Sequence, residues 1–436
     1  MTGTTLASSN SRPKRAFSKH QPKWQRYQPT FLQPETKKES QKEQETYQYQ
    51  RQYSHVYSQR LQALRGRCWK QLLAVNASGE YHRIHRVLEL REDVPSQIVG
   101  TLVKETTDPS EKPLHGNCRF SDQLYLEDES GRVALQLDND ADDGIHKYCT
   151  GVVVGVRGKV DKVGTLHVDQ LVLPAPPTHP TAESIQERSS NGQAPHLLLI
   201  SSLLCGDANT PSLPRELLVS YLQGQFTEDA SKVCRVVICG GGPSSHDPLF
   251  GLKELDAFLV QLTHAGIPVD ILPGKNDPTT ANWPQRPLHS SLLPHANNNL
   301  VHRTPNPSAA IHGGKLLVAT DGTNIVDLQQ HILGPGKTPL STLDALECTL
   351  TWSHLCPTGP DSVPTVPHLE QDPMVLDELP HVLVCGNAPQ FATRTTPTTT
   401  LIAVPQFSST GEAVLVNLET LQVELLRFQE ETNDDE

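Results

Sequence analysis

Four times this chain runs a short apolar stretch into a tip of small and polar residues, and that recurrence restricts its fold more than any other feature. The stretches are His196–Gly206 (HLLLISSLLCG), Val233–Ser245 (VCRVVICGGGPSS), Pro268–Pro278 (PVDILPGKNDP) and His381–Phe391 (HVLVCGNAPQF). Each apolar run reads as a buried strand, and the Gly, Pro or Asn that follows turns the chain sharply. Helices are expected between them at Leu213–Phe226 and Leu252–Ala265, the latter with Leu252, Leu255, Phe258, Leu259 and Leu262 on one face. Strands alternating with helices make an open α/β sheet, whose functional side chains collect at the carboxyl ends of the strands.

Downstream, Thr338 as N-cap and Pro339 at N1 open a third expected helix, lined by Leu340, Leu343, Leu346 and Leu350. Thr400–Val404, Ala413–Asn417 and Gln422–Phe428 read as antiparallel strands. Residues 195–429 therefore form one mixed sheet between helices, followed by an acidic tail at 430–436.

Upstream the pattern is different. Residues 1–45 are polar and form an expected disordered tail, because they hold too little apolar surface to offset the entropy of ordering. Arg12-Pro13-Lys14-Arg15 within it reads equally as a weak nuclear-import patch or a solvated basic stretch. Residues 46–79 hold an expected helix at Tyr47–Leu64, with Tyr49, Tyr53, Val56, Tyr57, Leu61 and Leu64 on a packing face and Gly66 as its αL cap. His55 reads as a packed core histidine, and His82 and His85 as surface residues. From 80 to 175 the signal is all-β: Ile98–Val103, Gln123–Glu127, Val133–Leu137, Val152–Val156 and Leu166–Leu173. Five short strands with turns at Glu129–Gly131 and Asp161–Gly164 fit an OB barrel. Residues 176–194, rich in Pro and Ser, link the two units.

Composition narrows the function. A net charge of −12 opposes a whole-surface grip on DNA. The barrel strands offer mainly Phe120 and Tyr125 as stacking platforms, beside Glu127, Asp128, Glu129, Asp138, Asp140, Asp142 and Asp143. Acid of that density repels a phosphate backbone, so a docking role is expected there. Nine cysteines form no C-x-x-C pair and read as buried thiols of a reducing compartment. No apolar run reaches the ~18 residues of a membrane span, and the first residues lack a secretory apolar core. A soluble intracellular protein with no membrane contact is expected.

Some short motifs mislead. Gly240-Gly241-Gly242 lacks the third glycine of a dinucleotide fingerprint, since Ser245 stands there. Gly336-Lys337-Thr338 lacks the first glycine of a phosphate loop, which would fall at His331. His246, Asp247 and His354 read as ordinary loop residues in the absence of a nucleophile motif. No two aromatic residues are adjacent, so a sliding-clamp box is not expected.

The four tips in this order resemble those of calcineurin-like metallophosphoesterases, which carry Asp-x-His, Gly-Asp, Gly-Asn-His-Asp and Gly-His-x-His. Here Ser202 and Leu204 stand at the first Asp and His, and Gly241 at the second Asp. Lys275 and Asn276 replace the third Asn and His while Asp277 stays, and Asn387 and Pro389 take the last two His positions. A two-metal hydrolase needs carboxylates and imidazoles around its ions, so loss of nearly all of them, with an ammonium added, abolishes the site. No catalytic residue, no metal and no cofactor are expected.

That combination is similar to the B subunits of replicative DNA polymerases. Gly274-Lys275-Asn276-Asp277-Pro278 resembles their Gly-x-x-Asp-Pro signature, and Gly386-Asn387-Ala388-Pro389 their Gly-Asn-x-Pro block. Arg51–Leu61, Leu124–Asp128, Gly131–Leu137, Pro287-Leu288-His289, Thr320–Asp327 and Asp372-Pro373 resemble the delta-type B subunit in particular. The resemblance implies α/β plus all-β architecture, with an OB-fold barrel joined to a metallophosphoesterase-like mixed-sheet domain without its metal site. It implies a non-catalytic accessory subunit of the DNA polymerase delta complex, attached to the C-terminal metal-binding domain of the catalytic subunit and to a third subunit. Such subunits serve lagging-strand replication and DNA repair in the nucleus, reach DNA through the complex, and are shared in some organisms with polymerase zeta. The resemblance assigns no partner-binding residues. Two alternatives stay open: a B subunit of polymerase alpha or epsilon, and an active metallophosphoesterase with Asp277 and Asn387 as remnant ligands.

Overall fold

The structure, a computed structural model, describes residues 30–31, 54–75, 81–137, 144–180, 195–226, 228–367 and 371–429. The stretch Tyr47–Tyr53, the Arg12–Arg15 patch, Asp138–Asp143, most of the linker and the acidic tail lie outside them.

The chain is first described at strand β1 (Thr30–Phe31), inside the segment expected to be an unstructured tail. Helix α1 (Ser54–Val75) follows. It runs through Gly66, which therefore does not cap it, because the apolar stripe continues beyond that residue. Leu61, Leu64, Cys68, Trp69 and Leu72 pack together on Val99 and Val153. His55, expected in the core, is exposed.

The all-β unit contains β2 (His82–Arg83), β3 (Ser96–Thr106), β4 (Asp122–Asp128), β5 (Gly131–Leu137), β6 (Val153–Val160) and β7 (Thr165–Val172). The sheet order is β2-β3-β4-β5-β7-β6, and β6 also pairs with β3, closing a five-stranded barrel. All five expected strands are present. The β6–β7 ladder bulges at Asp169, opposite Arg157 and Gly158, and a Cβ on Gly158 would collide with the His167 carbonyl.

The α/β unit holds two six-stranded sheets in place of the single mixed sheet expected. Its elements in order are β8 (His196–Ile200), α2 (Leu213–Leu222), β9 (Val233–Cys239), α3 (Pro248–His264), β10 (Val269–Leu272), β11 (Val301–Arg303), β12 (Ser308–His312) and β13 (Lys315–Thr320). Helices α4 (Thr323–His331) and α5 (Thr342–Thr351) come next, then β14 (Val382–Ala388), β15 (Ala392–Thr395), β16 (Thr400–Pro405), α6 (Phe407–Thr410), β17 (Glu412–Asn417) and β18 (Val423–Arg427).

The first sheet runs β11-β10-β9-β8-β17-β18, and the second β1-β12-β13-β14-β16-β15. Strand β16 lies parallel to β14 in the second sheet, so Thr400–Val404 does not join β17 and β18 in an antiparallel set. Leu197, Leu199 and Val237 of one sheet face Leu317, Val384 and Ile402 of the other in a shared apolar layer. Both strand faces are buried, which is why these strands read as continuous apolar runs. Helices α2 and α3 cover the outer face of the first sheet.

Helices α4 and α5 cover the second sheet. Helix α5 is capped by Ser341, whose Oγ accepts from Asp344 N, and begins after the expected Thr338-Pro339 start. Thr338 and Pro339 instead lie extended, with Pro339 bridged to Leu333. The apolar layer under α4 and α5 is continuous with the barrel core: Leu102, Leu126 and Leu135 belong to the same cluster as Leu328, Leu346 and Leu383.

Polar contacts reinforce that junction. The Arg60 guanidinium on α1 donates to Gly151 O of the barrel, to Pro357 O and Gly359 O of the α/β unit, and to Asp372 Oδ2. Arg67, two turns on, donates to Ala175 O and Leu376 O. Pro176–Pro180, at the start of the expected linker, packs against the α/β unit: Thr178 O accepts from Leu379 N, and the His179 ring stacks on His381 with centroids 4.3 Å apart. No helix among the described residues is long and apolar enough to cross a membrane.

Candidate functional site

The four tips converge where the two sheets meet at the carboxyl ends of β8, β9, β10 and β14. Gly240 and Gly274 let the loops touch: a Cβ on Gly240 would lie 2.9 Å from Gly274 Cα, and one on Gly274 would lie 2.6 Å from Gly241 N. The first tip is laced to the second, with Ser202 N donating to Gly240 O and Leu204 N to Gly241 O. Ser202, Leu204 and Asn387 all adopt positive φ, at 52°, 44° and 52°. For a leucine this is an unfavourable backbone state, held only because the surrounding loops fix it.

Asp277 is buried at the centre. Its Oδ2 accepts from the backbone N–H groups of Gly274 at 2.7 Å, Gly241 at 3.1 Å and Gly242 at 3.5 Å. Oδ1 has no hydrogen-bond partner among the described residues. Burial raises its pKa to about 6, and the nearby Asp321 carboxylate adds to the shift against the pull of the glycine amides. The one acid retained at the tips is thus turned inward onto the loops.

Asn387 is likewise committed. Its N–H donates to Ser201 Oγ, and its Nδ2 donates to Asp321 O at 2.8 Å. Lys275, Asn276 and Pro389 are exposed, Ser202 is buried, and Leu204 and Gly241 are half-buried. All eight positions named from the sequence lie on the converging loops, and the hydrogen bonds of Asp277 and Asn387 go to backbone groups and Ser201 instead of to side chains of the other seven.

Several central residues are not among the site positions read from the sequence, although Asp321 lies in the family-like stretch Thr320–Asp327. Asp321 accepts from Lys275 N, from Thr323 N and Oγ1, and from Asn306 Nδ2. Asn306 also donates to Gln285 Oε1, and Gln285 Nε2 reaches Gly274 O. Burial raises the Asp321 pKa, opposed by the Thr323 and Asn306 hydrogen bonds. The Thr-Asp-Gly-Thr run at 320–323, an Asp-Gly turn before a helix, is the sequence signal for this residue. Nothing local marks Asn306 or Gln285.

Two of the residues expected to be ordinary loop members are structural. Asp247 is the N-cap of α3, accepting from Phe250 N. His354 is buried with its Nε2 2.9 Å from Asp372 Oδ2, and burial followed by the Arg60 charge lowers its pKa to about 4. His246 is exposed.

Away from the tips, Cys118, Asp122 and His146 form a buried group with metal-ligand chemistry. The Lys104 ammonium stands among them, 3.5 Å from Cys118 Sγ and 3.8 Å from Asp122 Oδ2. It also donates to His331 O at 2.8 Å, capping the carboxyl end of α4. Through these contacts Lys104 ties barrel strand β3 to α4. All nine cysteines are free thiols, seven of them buried.

The barrel's two candidate stacking platforms already have cationic partners. Arg132 lies over the Tyr125 ring at 4.9 Å, and the Lys337 ammonium over the Phe120 ring at 4.8 Å.

Two family models match this chain. A family model for the DNA polymerase delta subunit OB-fold domain matches residues 52–171, and one for the B subunit of DNA polymerase alpha/epsilon matches residues 198–393. A DNA polymerase delta small subunit from Oryza sativa subsp. japonica is 31% identical, covering 86% of this chain and 92% of the relative. One from Saccharomyces cerevisiae is 32% identical over 71% of this chain and 70% of the relative. DNA polymerase delta subunit 2 of Drosophila melanogaster is 29% identical over 86% and 92%. Among solved structures, a novel archaeal phosphodiesterase matches at 12% identity, covering 53% of this chain and 98% of its own, with a TM-score of 0.30. Vacuolar protein sorting 29 from Cryptosporidium parvum matches at 15% identity, 54% and 96% coverage, and a TM-score of 0.27. With its OB barrel, its paired mixed sheets and relatives of this identity along most of its length, the chain belongs to the DNA polymerase delta small-subunit family, the non-catalytic accessory subunits of that replicative polymerase.

Proposed function

We propose that this chain holds the polymerase delta holoenzyme together, binding the C-terminal metal-binding domain of the catalytic subunit and a third subunit. The observation that carries this reading is the state of the strand-tip centre. The retained Asp277 carboxylate accepts from glycine amides, and the Asn387 side-chain amide donates to a backbone carbonyl. A two-metal phosphoesterase needs outward-facing ligands there, and Ser202, Leu204, Gly241, Lys275, Asn276 and Pro389 supply none that suits paired metal ions. We read the centre as a degenerate metal site kept for its packing, on an α/β unit spanning 195–429 that a linker joins to a barrel spanning 80–175.

DNA contact is made through the complex. The exposed Glu127 and Glu129 on the barrel, and the cations already lodged over Tyr125 and Phe120, favour protein docking over a stacked single strand. Work in the nucleus on lagging-strand synthesis and repair, and sharing of this subunit with polymerase zeta, follow from the same family reading.

Co-expression tests the proposal. The chain is purified alone and with the C-terminal domain of a polymerase delta catalytic subunit, with size exclusion and metal analysis on each. A 1:1 complex, with metal on the catalytic domain only, is the expected outcome. Failure to associate, together with metal on the isolated chain and turnover of a nitrophenyl phosphodiester, would overturn it.

A further inference from the structure

Leaving β1 aside, the two α/β sheets have four outer strands: β11, β18, β12 and β15. Three of them carry ionic side chains, Arg303 in β11, Glu424 and Arg427 in β18, and Arg394 in β15. Charges of this kind keep an edge from pairing with another chain. Strand β12 reads Ser-Ala-Ala-Ile-His and carries no carboxylate, lysine or arginine. Its unpaired backbone groups are an open template for another strand, and it is this edge that Thr30–Phe31 covers. Thr30 pairs with Ile311 and Phe31 with Ala310, antiparallel.

The covering segment suits the task. In the polar run from 1 to 45, Trp24, Tyr27, Phe31 and Leu32 are four large apolar residues within one short stretch, with Pro29 and Pro34 on either side of Thr30-Phe31-Leu32-Gln33. Prolines beside a short strand stop the ladder from extending outward.

We propose that the β12 edge is a binding surface for the chain's own N-terminal segment, and that Thr30–Phe31 is a tethered strand protecting the edge the fold leaves unguarded. This interaction is independent of the polymerase partners proposed above. Backbone pairing supplies the attachment, as in other cases of strand addition.

Hydrogen–deuterium exchange at Ser308–His312 tests it on the full chain, on a Phe31→Pro variant and on a chain lacking residues 1–45. Proline at position 31, opposite Ala310, disfavours strand pairing there and lies outside the folded units. The β12 amides directed away from β13 should exchange at least tenfold faster in both altered chains. A synthetic peptide of residues 27–34 should restore protection to the shortened chain. Concentration-dependent self-association of the shortened chain, seen by sedimentation and reversed by the peptide, supports the same surface. Equal exchange in all three chains, or a peptide without effect, overturns it.

Discussion

Arg60 Nε lies 2.9 Å from Asp372 Oδ2, and the two side chains are only 1% and 3% exposed. They stand 312 positions apart in the sequence, so this pair fixes α1 to the α/β unit while the same guanidinium holds the barrel through Gly151 O. His354 and Arg60 together hold the Asp372 carboxyl well below the usual range despite the opposing effect of burial. Removing one partner leaves the other charge buried and alone. Arg60→Ala should cost about 3–5 kcal/mol in denaturant unfolding. Asp372→Ala should cost a similar amount, and the double variant clearly less than the sum. Additive losses would show that the pair is not an energetic unit.

Lys104 is the second tie. Lys104→Met removes donors to His331 O, Tyr148 O and Cys118 Sγ while keeping most of the side-chain length. A loss of about 2–3 kcal/mol is expected. It should be accompanied by faster amide exchange at Asn117 and Leu333, whose N–H groups donate across the junction to Gln330 O and His146 O. A stability loss without that local signature would place the effect elsewhere.

The buried histidines set an acid limit. His354 and His312 are both lowered to about 4, by burial in each case, with the Arg60 charge acting on His354 next. As pH falls below the ordinary histidine value near 6.5, the unfolded chain takes up these protons and the folded chain does not. Stability present above that pH is therefore lost between about 6.5 and 4, at roughly 1.4 kcal/mol per pH unit per histidine. In His354→Gln the slope should shrink by about one proton, measured by urea unfolding across this range. An unchanged slope would remove His354 from the account.

Asp277 acts with the opposite sign. Its pKa is raised to about 6, so the folded state keeps a proton that the unfolded state has released. Its contribution is complete below about 4 and disappears as pH rises through 6. Asp277→Asn should therefore gain on the native chain as pH rises from 4 to 7, by about 2–3 kcal/mol. A stability difference that is flat with pH would mean the carboxyl is ionised throughout.

Gly274→Ala probes loop contact without any demand on φ. The added Cβ would lie 2.6 Å from Gly241 N, where backbone has no room to yield. A loss of about 3 kcal/mol is expected from thermal or denaturant unfolding.

The sequence carries the local pieces well and their assembly poorly. The barrel strands and the four tips are legible because each is set by a short apolar run and a turn. Gly66 signals the end of helix α1, yet Cys68, Trp69 and Leu72 bury enough surface to carry the helix past it. Thr338-Pro339 has a helix-start pattern, but Ser341 with Asp344 makes the real cap. The strands suggest one sheet where there are two, since an apolar run does not tell which neighbour it pairs with. At the site, Asp277 and Asn387 are found by position, whereas Asn306 and Gln285 gain their meaning only from a carboxylate and a carbonyl brought to them by distant loops.

The apolar cluster that passes without a break from the barrel to the helices over the second sheet has a mechanical consequence. Units joined by a thin polar contact swing about their connection, whereas a shared interior resists bending. Barrel and sandwich should melt in a single transition and keep one angle in solution. A partner seated on the barrel is then held at a set distance and heading from one seated on the sandwich, as by the two arms of a welded bracket.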